Sequence, residues 1–205
     1  MTLGPKELLN LVKKKKLVEH LSERELTNPE GAGFDLRLGE VYKISGKAFL
    51  GVTVRHTAEV SLIAKFEEAE SNSHSCKRSA SRISKKKDPG QARMTTPQSI
   101  VIKPGEFYLI KTLEDVNMPD NLTASITPRS TTYRSGLMIR TGNVPPGYCG
   151  GLTFGLKNEG SVAVTIEMGA RIVHIQFHEV KGSGNKYRGQ WQGGRVTTTK
   201  KEKQV

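Results

Sequence analysis

The spacing of apolar residues along this chain predicts one short N-terminal helix followed by a series of β-strands. Between Pro5 and Leu26, leucine and valine recur at intervals of three and four residues, the pattern of a helix with one buried face. Pro5 suits the first turn of a helix, where its missing N–H would have no partner anyway. Four lysines at 13–16 interrupt the pattern, so the segment is interpreted as one helix or as a helix followed by a short strand.

After a turn at residues 27–31, apolar and polar residues alternate with a period of two, which is typical of strands with one buried face. Turns rich in Gly and Pro separate the alternating segments. The pattern therefore predicts an all-β barrel or jelly roll. Strands are expected at residues 34–39, 41–44, 48–54, 59–66, 100–102, 107–110, 162–166 and 171–180.

Basic charge is unevenly distributed in this chain of 205 residues and net charge +12. Residues 71–93 hold seven basic residues and one acidic residue, a net charge of +6, among serines and almost no apolar residues. Such a composition does not offset the entropy of ordering the backbone. We expect a single domain at 1–196, interrupted by a basic low-complexity insert at 68–96 and followed by a basic disordered tail at 197–205. The insert is either inert or makes weak nonspecific contact with nucleic acid through residues 71–93.

The two cysteines, Cys76 and Cys149, are too few for a disulfide framework and are expected to be free thiols. His74 lies close to Cys76, but two ligands do not make a zinc site. Apolar runs fall short of the roughly 20 residues that span a bilayer, and the N-terminus lacks an apolar signal core. A cytoplasmic protein with no membrane partner is expected.

The stretch from Ile126 to Gly160 concentrates Gly, Pro, Ser, Thr and Arg between short apolar runs, as functional loops do. Its first part, Pro128–Ser135, places Arg129 and Arg134 among four hydroxyls. Guanidinium forks and hydroxyls suit the oxygens of a polyphosphate, although a solvated basic loop has the same composition. The second part, Gly142–Gly151, combines Pro and Gly as a rigid hairpin does. It either binds the edge of a small flat ligand or serves only as a turn.

Five segments, in order, resemble the motif series of the dUTPase and dCTP deaminase superfamily. They are AGFDLRLG at 32–39, PRSTTYRSG at 128–136, GNVPPGYCGGLTFGLKN at 142–158, GARIVHIQF at 169–177 and YRGQWQGG at 187–194. The resemblance is closest to the archaeal-type dUTPases, which share a deaminase-like N-terminus and a YRGxxQG ending. It implies a distorted jelly-roll β-barrel with a short N-terminal helix. It also implies a homotrimer whose sites lie between subunits.

The resemblance implies a set of binding residues for a pyrimidine deoxynucleoside triphosphate. Phosphate contacts are expected at Arg129, Ser130, Thr131, Arg134 and Gln176, with His174 as the alternative to Gln176. Base and sugar contacts are expected at Gly142, Asn143, Val144, Tyr148 and Thr153. A lid is expected to close over the nucleotide with Lys186, Tyr187, Arg188, Gln190 and Gln192.

Two further roles follow from the resemblance. Asp35 takes the place of the acidic residue in the first motif and is expected to support the site, although a carboxylate at a strand edge has the same sequence signature. Mg²⁺ is expected to bind through the nucleotide phosphates, with no direct ligand from the protein. Each role depends on the fold bringing the motifs together.

Two positions depart from the families at the residues that handle protons. The dUTPases carry an Asp where this chain has Pro145, and the deaminases carry a Glu where it has Gly155. A general base needs a titratable group within hydrogen-bond reach, and neither Pro nor Gly has one. No catalytic residue is therefore assigned from the sequence.

The sequence leaves three hypotheses of function. The first is hydrolysis of dUTP to dUMP and pyrophosphate, impaired because the Asp position is Pro145. The second is deamination of dCTP, which is impaired because the Glu position is Gly155. The third is a nucleotide-binding or regulatory protein without chemistry. Loss of a general base lowers a rate by about 10²–10⁴-fold, so efficient turnover is not expected.

Overall fold

The computed structural model of the protein describes residues 1–67, 98–182, 184–198 and 200–203. Within these ranges the helices are α1 (Pro5–Lys15), α2 (Glu23–Thr27) and α3 (Ser130–Arg134). The strands are β1 (Val18–Glu19), β2 (Phe34–Ser45), β3 (Phe49–Leu50), β4 (Val54–His56), β5 (Glu59–Lys65), β6 (Ser99–Ile102), β7 (Phe107–Asn117), β8 (Leu122–Pro128), β9 (Leu137–Arg140), β10 (Cys149–Asn158), β11 (Val164–Glu167), β12 (Arg171–Glu179) and β13 (Glu202–Lys203).

The N-terminal segment is a helix followed by a short strand. Helix α1 begins at Pro5 and ends where Lys16 takes the left-handed conformation, with a φ of 51°. Leu8 on its inner face is fully buried, and Lys13–Lys15 lie in the last turn, where the helix dipole favours positive charge. The chain then enters β1, which pairs antiparallel with β7. Of the two interpretations of this segment, the helix with a following strand is confirmed.

The largest sheet curls nearly closed into a barrel, with strands in the order β8–β12–β2–β7–β10–β9. Beside this path, β1 pairs with β7 and β5 pairs with β2. Two smaller sheets, β11–β6 and β13–β4–β3, account for the other strands of the described residues. The prediction of an all-β barrel preceded by a short helix is confirmed.

Burial follows the period of two that the sequence shows. In β7, alternate residues from Ile110 to Val116 are buried and those between them are half-buried. The same alternation runs through β10 and β12, so the buried faces of the three strands share one core. Phe34 of β2 and Phe177 of β12 meet edge to face there, with ring centroids 6.3 Å apart.

Residues 48–54, expected as one strand, instead form part of a small hairpin. The Gly51 N–H donates to the Val54 carbonyl at 2.9 Å, so the chain turns between β3 and β4. A Cβ on Gly51 would come within 2.5 Å of the Phe49 ring, which explains why the turn uses glycine. The prediction of a continuous strand is therefore wrong, because one glycine permits a reversal that hydrophobic spacing does not show.

The C-terminal tail also differs from its prediction. The Thr57 N–H donates to the Thr198 hydroxyl, and the Thr198 N–H donates to the Thr57 hydroxyl, both at 3.0 Å. Strand β13 then pairs antiparallel with β4, placing Glu202 opposite Arg55. Disorder is therefore corrected for residues 197, 198 and 200–203, since β4 offers a free edge that composition does not reveal.

The basic insert at 68–96, with its predicted nucleic-acid contact at 71–93, lies outside the described residues. So does Cys76, whereas Cys149 is an exposed free thiol. Within the described ranges, no helix has the length and apolar character needed to cross a membrane.

Candidate functional site

A cavity of about 520 Å³ lies beside the loop between β9 and β10. Its size falls in the range of pockets that hold small ligands. The predicted base and sugar residues Gly142, Asn143, Val144, Tyr148 and Thr153 all line it. The structure therefore brings this set of sequence predictions together at one place.

The loop that borders the cavity is held in a tight turn. Tyr148 N–H donates to the Pro145 carbonyl at 3.3 Å, with Pro146 and Gly147 as the central residues. Gly147 has a φ of 75°, as the third position of a type II turn requires, and Pro146 suits the second. Val144 anchors the other side of the loop by a bridge to Ala124 of β8. The loop is thus a rigid edge, as its Pro and Gly content predicts.

The predicted lid, residues 186–195, lies against this loop. The Tyr187 N–H donates to the Pro146 carbonyl at 2.7 Å. The Tyr187 ring meets the Tyr148 ring edge to face, with centroids 5.4 Å apart. Its hydroxyl accepts from the Trp191 N–H at 3.2 Å, and both Tyr187 and Trp191 line the cavity. The C-terminal segment therefore forms one wall of the cavity.

The side chain of Gln192 connects the lid to the loop by hydrogen bonds to main-chain atoms. Its Nε2 donates to the Gly147 carbonyl at 3.0 Å, and its Oε1 accepts from the Cys149 N–H at 3.3 Å. The Gly193 N–H donates to the Cys149 carbonyl at 2.9 Å. These contacts are available only when the lid lies on the loop.

Glycines allow the two backbones to cross. A Cβ on Gly150 would lie 2.5 Å from the Gly194 nitrogen, and a Cβ on Gly194 would lie 2.8 Å from the Gly151 nitrogen. No side chain fits at such distances, so the crossing requires glycine at both positions. A Cβ on Gly193, by contrast, would meet nothing within 4 Å.

The other predicted lid residues hold the segment to the body of the domain. Lys186 Nζ pairs with Asp120 at 2.8 Å. Gln190 Oε1 accepts from Arg55 Nε at 2.6 Å, while its Nε2 is buried without a partner among the described residues. Arg188 is exposed.

Thr153 carries an unsatisfied hydroxyl in the cavity lining. Its Oγ1 is buried and has no hydrogen-bond partner among the described residues. A buried polar group without a partner is costly and rare in folded proteins. Thr153 is thus a polar position without a partner among the described residues, in a largely apolar lining.

The two positions where the families carry carboxylates meet this cavity differently. Pro145 lines it directly, whereas Gly155 lies two residues beyond Thr153 on the same face of β10. A Cβ on Gly155 would lie 2.9 Å from the Phe107 ring, and Phe107 lines the cavity. An aromatic ring therefore occupies the space that a side chain at 155 would enter. No carboxylate occurs among the described residues that line the cavity.

A second polar centre forms around Asp35, whose side chain is only 2% exposed. We call Arg24, Asp35, Arg129, Arg171 and His174 the Asp35 cluster. Arg129 forms an ion pair with Asp35, and Arg171 Nη1 donates to it at 2.9 Å. Nδ1 of His174 lies 3.0 Å from it, and Arg24 Nη1 lies 3.6 Å away. Asp35 thus holds three arginines and a histidine in place, while its role as a support of the nucleotide site stays a prediction.

The predicted phosphate residues do not share the cavity with the predicted base residues. Arg129 belongs to the Asp35 cluster. Ser130, Thr131 and Arg134 lie exposed on α3, and Gln176 of β12 lies opposite Ser125 of β8. None of these phosphate candidates lines the 520 Å³ cavity. These phosphate candidates therefore lie apart from the cavity of their own chain, because β8 leaves the cavity at Ile126 before it reaches Arg129, and their role stays a prediction.

Burial shifts several pKa values in these two regions. In the cavity wall, burial and then the neighbouring Tyr187 and Asp115 raise the pKa of Tyr148 to about 12, so its hydroxyl stays protonated and donates to the Gly151 carbonyl at 2.8 Å. In the Asp35 cluster, burial lowers the pKa of His174 below its usual range, with the charge of Arg129 acting in the same direction. His174 is thus favoured as the neutral imidazole.

Sequence reasoning missed several residues that shape these two regions. Glu25 of α2 is fully buried, pairs with Arg24 and accepts from the Asp35 N–H at 3.0 Å. Phe107 and Arg195 line the cavity. Glu25 lies in an ordinary polar stretch and Phe107 in an ordinary strand, so neither has a local signal. Arg195, by contrast, was predicted as the last residue of the lid at 186–195.

The structure offers few groups for a metal ion. Among the residues it describes, no group of three or more His, Cys, Asp or Glu side chains is placed to hold one. Mg²⁺ prefers oxygen ligands, chiefly carboxylates and phosphates. The expectation that Mg²⁺ binds through the nucleotide phosphates stays a prediction.

Comparisons with known proteins agree with the fold. Residues 2–180 match the family model described as dCTP deaminase-like. The chain is 28% identical over 204 residues to a dCTP deaminase, dUMP-forming, of Dictyoglomus turgidum, covering 93% of this chain and 91% of that protein. It is also 28% identical over 193 residues to a dCTP deaminase of Thermococcus kodakarensis, covering 94% and 95% of the two chains.

A solved structure shows the same architecture. The 2′-deoxycytidine 5′-triphosphate deaminase of Agrobacterium tumefaciens superposes with a TM-score of 0.57 at 16% identity, over 86% of this chain and 46% of the longer one. This likeness shows the fold alone. The resemblance to the dUTPase and dCTP deaminase superfamily is confirmed, while the finer likeness to archaeal-type dUTPases stays a prediction. The match over residues 2–180 shows that the chain belongs to the dCTP deaminase-like family.

Proposed function

We propose that this protein binds a pyrimidine deoxynucleoside triphosphate, with dCTP as the first ligand to test, and does not deaminate it efficiently. The observation that carries the proposal is the 520 Å³ cavity, in which the five predicted base and sugar residues converge. The unsatisfied hydroxyl of Thr153 in the same lining supports a polar ligand. Relatives named dCTP deaminase support a cytosine nucleotide as that ligand.

The expected lack of efficient deamination follows from the residues that line the cavity. Proton transfer at the base needs a titratable group within hydrogen-bond reach. Gly155 offers none, and the Phe107 ring fills the space beside it. The other ionisable groups of the lining are Arg195 and two tyrosines, Tyr148 and Tyr187. The raised pKa of Tyr148 makes it a poor base at neutral pH.

The triphosphate would extend out of the cavity. We place its phosphates against the Asp35 cluster and α3 of a neighbouring copy, since Arg129, Ser130 and Arg134 do not line the cavity of their own chain. This arrangement supports the homotrimer implied by the family resemblance. Mg²⁺ would be held by the phosphates, where it neutralises their charge.

A second candidate is dCTP deamination itself, supported by the names of the relatives. It requires a proton-handling group from outside the described cavity lining. Hydrolysis of dUTP, the first expectation from the sequence, receives less support from these names. Pro145, where the dUTPases carry an Asp, lines the cavity and offers no base.

The test is calorimetric titration of the purified protein with dCTP, dUTP, dTTP and dATP in Mg²⁺. Binding of the pyrimidine nucleotides, with dATP at least tenfold weaker, is the expected result. A Thr153→Val variant is the matched probe, because it changes one cavity atom and keeps the shape of the side chain. Equal binding of dATP, or no binding at all, would contradict the proposal.

A further inference from the structure

The C-terminal tail places a guanidinium group in the wall of the cavity and a carboxylate against it. Arg195 lines the cavity, and its side chain is 38% exposed. Its Nη2 donates to Glu202 Oε1 at 2.7 Å, and its Nη1 lies 3.4 Å from Glu202 Oε2. This two-point geometry is the one that guanidinium groups also adopt with phosphate oxygens.

Strand pairing holds Glu202 in place. It lies in β13, opposite Arg55 of β4, and its side chain is 19% exposed. Arg55 in turn donates to Gln190 of the lid at 2.6 Å. Strand pairing thus links the tail to β4, and Arg55 links β4 to the lid.

Positive charge exceeds negative charge at this place. Described residues 195–203 carry Arg195, Lys200, Lys201 and Lys203 against Glu202 as the single acid. Arg55 adds another positive charge opposite Glu202. A polyanionic ligand in the cavity would thus meet an arginine that already has a carboxylate partner.

We propose that Arg195 is a phosphate-binding residue and that Glu202 is its internal competitor. The inference deepens the proposed function and rests on it. A triphosphate must replace Glu202 at Arg195, so the tail selects for highly charged nucleotides and weakens the binding of less charged ones. The Arg195–Glu202 ion pair must then open whenever a phosphate takes the Nη1 and Nη2 atoms of Arg195.

The experiment measures the affinity of the full-length protein for dCTP and for deoxycytidine. Arg195→Gln is expected to weaken dCTP binding about tenfold, since a charge-assisted hydrogen bond is lost, and to leave deoxycytidine binding unchanged. Glu202→Gln is expected to strengthen dCTP binding severalfold, because it removes the competitor. Lys200→Gln is the matched control: it removes an exposed positive charge of the tail that does not line the cavity.

Two further readouts separate a charge effect from a structural one. Trp191, the only tryptophan of the chain, lies in the cavity wall, so its fluorescence reports whether the lid keeps its place in each variant. Raising the salt concentration should shrink the difference between wild type and Arg195→Gln.

Three results would overturn the inference. Equal losses for dCTP and deoxycytidine in Arg195→Gln would make Arg195 a structural wall. Unchanged or weaker dCTP binding in Glu202→Gln would remove the competition. Wild-type protein that binds deoxycytidine as tightly as dCTP would overturn the inference alone, whereas wild-type protein that binds neither would overturn the proposed function as well.

Discussion

The cavity is lined mostly by apolar side chains and a Pro-Gly loop, whereas the Asp35 cluster packs three guanidinium groups and an imidazole around one buried carboxylate. The cavity keeps the Thr153 hydroxyl without a partner among the described residues, while Asp35 pairs with all four other members of its cluster. By this measure the cavity is the incomplete region of the free protein, and the Asp35 cluster is the complete one. Under the proposed function, the cavity would receive the base and the cluster would handle charge.

The largest effect is expected from breaking the complete region. Asp35→Ala leaves Arg129 and Arg171 without their carboxylate, and removal of one partner from a buried ion pair typically costs about 3–5 kcal/mol of unfolding free energy. Chemical denaturation measures the change. Asp120→Ala removes an exposed carboxylate paired with Lys186 and should cost about 1 kcal/mol or less. Similar losses for the two variants would contradict this view of the cluster.

The next effect concerns the closure of the cavity by the lid. Gly194→Ala places a Cβ 2.8 Å from the Gly151 nitrogen, so the two backbones must separate, at a cost of roughly 1–3 kcal/mol. We expect a tenfold or greater loss of dCTP affinity and faster hydrogen exchange in the lid.

Gly193→Ala is the matched control for the lid. Gly193 has a φ of 76°, similar to the 71° of Gly194, but a Cβ there meets nothing within 4 Å. Both variants carry the strain of an alanine at positive φ, and only Gly194→Ala adds the clash. Equal losses of affinity in the two would show that the crossing does not hold the lid.

A smaller effect is expected in the cavity, where one substitution should lower the affinity for dCTP without lowering the stability of the free protein. Thr153→Val removes a buried hydroxyl that has no partner among the described residues, so the free protein should keep its unfolding free energy or gain slightly. The affinity for dCTP should fall by about 1 kcal/mol, the net contribution of a typical hydrogen bond.

Thr112→Val is the matched control, because the Thr112 hydroxyl already has hydrogen-bond partners in the free protein. The Thr112 hydroxyl is buried, donates to the Glu114 carbonyl at 2.7 Å and accepts from the Leu152 N–H at 2.9 Å. Its removal should destabilise the free protein. Loss of stability in Thr153→Val as well would show that the Thr153 hydroxyl is already satisfied.

The smallest effect is a dependence of stability on pH that arises in the Asp35 cluster. Burial lowers the pKa of His174 in the folded state below its ordinary value of 6.5. Above that value the imidazole is neutral in both states and has no effect. As the pH falls below it, the unfolded chain takes up a proton that the folded chain resists, so the unfolding free energy decreases until the lowered pKa is passed.

Denaturation curves between pH 8 and pH 5 measure this change. His174→Gln should flatten the decrease, since glutamine does not titrate. A curve with the same slope in both proteins would place the pH dependence on another group.

The sequence predicted the parts of the molecule that local rules control. The strand pattern located β12 and the first residues of β7, and the Pro145–Tyr148 sequence predicted a rigid turn with glycine at positive φ. The base and sugar residues converge because they occupy one loop and the strand that follows it. The reversal at Gly51 and the pairing of β13 with β4 escaped prediction, because each depends on a contact that no periodic pattern records.

The roles of the charged residues were harder to predict than the positions of the strands and turns. Arg129 and Arg134 suggested a phosphate site by composition, yet Arg129 is held by Asp35, which lies 94 positions earlier in the chain, and Arg134 is exposed. The carboxylate at Glu25 and the ring of Phe107 acquire their roles from neighbours distant in sequence. Such roles become visible only when the fold brings the partners together.

We infer that the chain binds a deaminase substrate without the group that would process it. The most direct measurement follows ammonia and pyrophosphate release from dCTP in Mg²⁺ by the wild-type protein and by a Gly155→Glu, Phe107→Ala variant. The second substitution vacates the space that the new glutamate needs, since a Cβ at 155 lies 2.9 Å from the Phe107 ring. Phe107→Ala alone is the control.

We expect the wild-type protein and Phe107→Ala to bind dCTP without releasing ammonia, and the double variant to release a measurable amount of ammonia. Efficient ammonia release by the wild-type protein would contradict this expectation, because a group other than a residue at position 155 would then handle the proton.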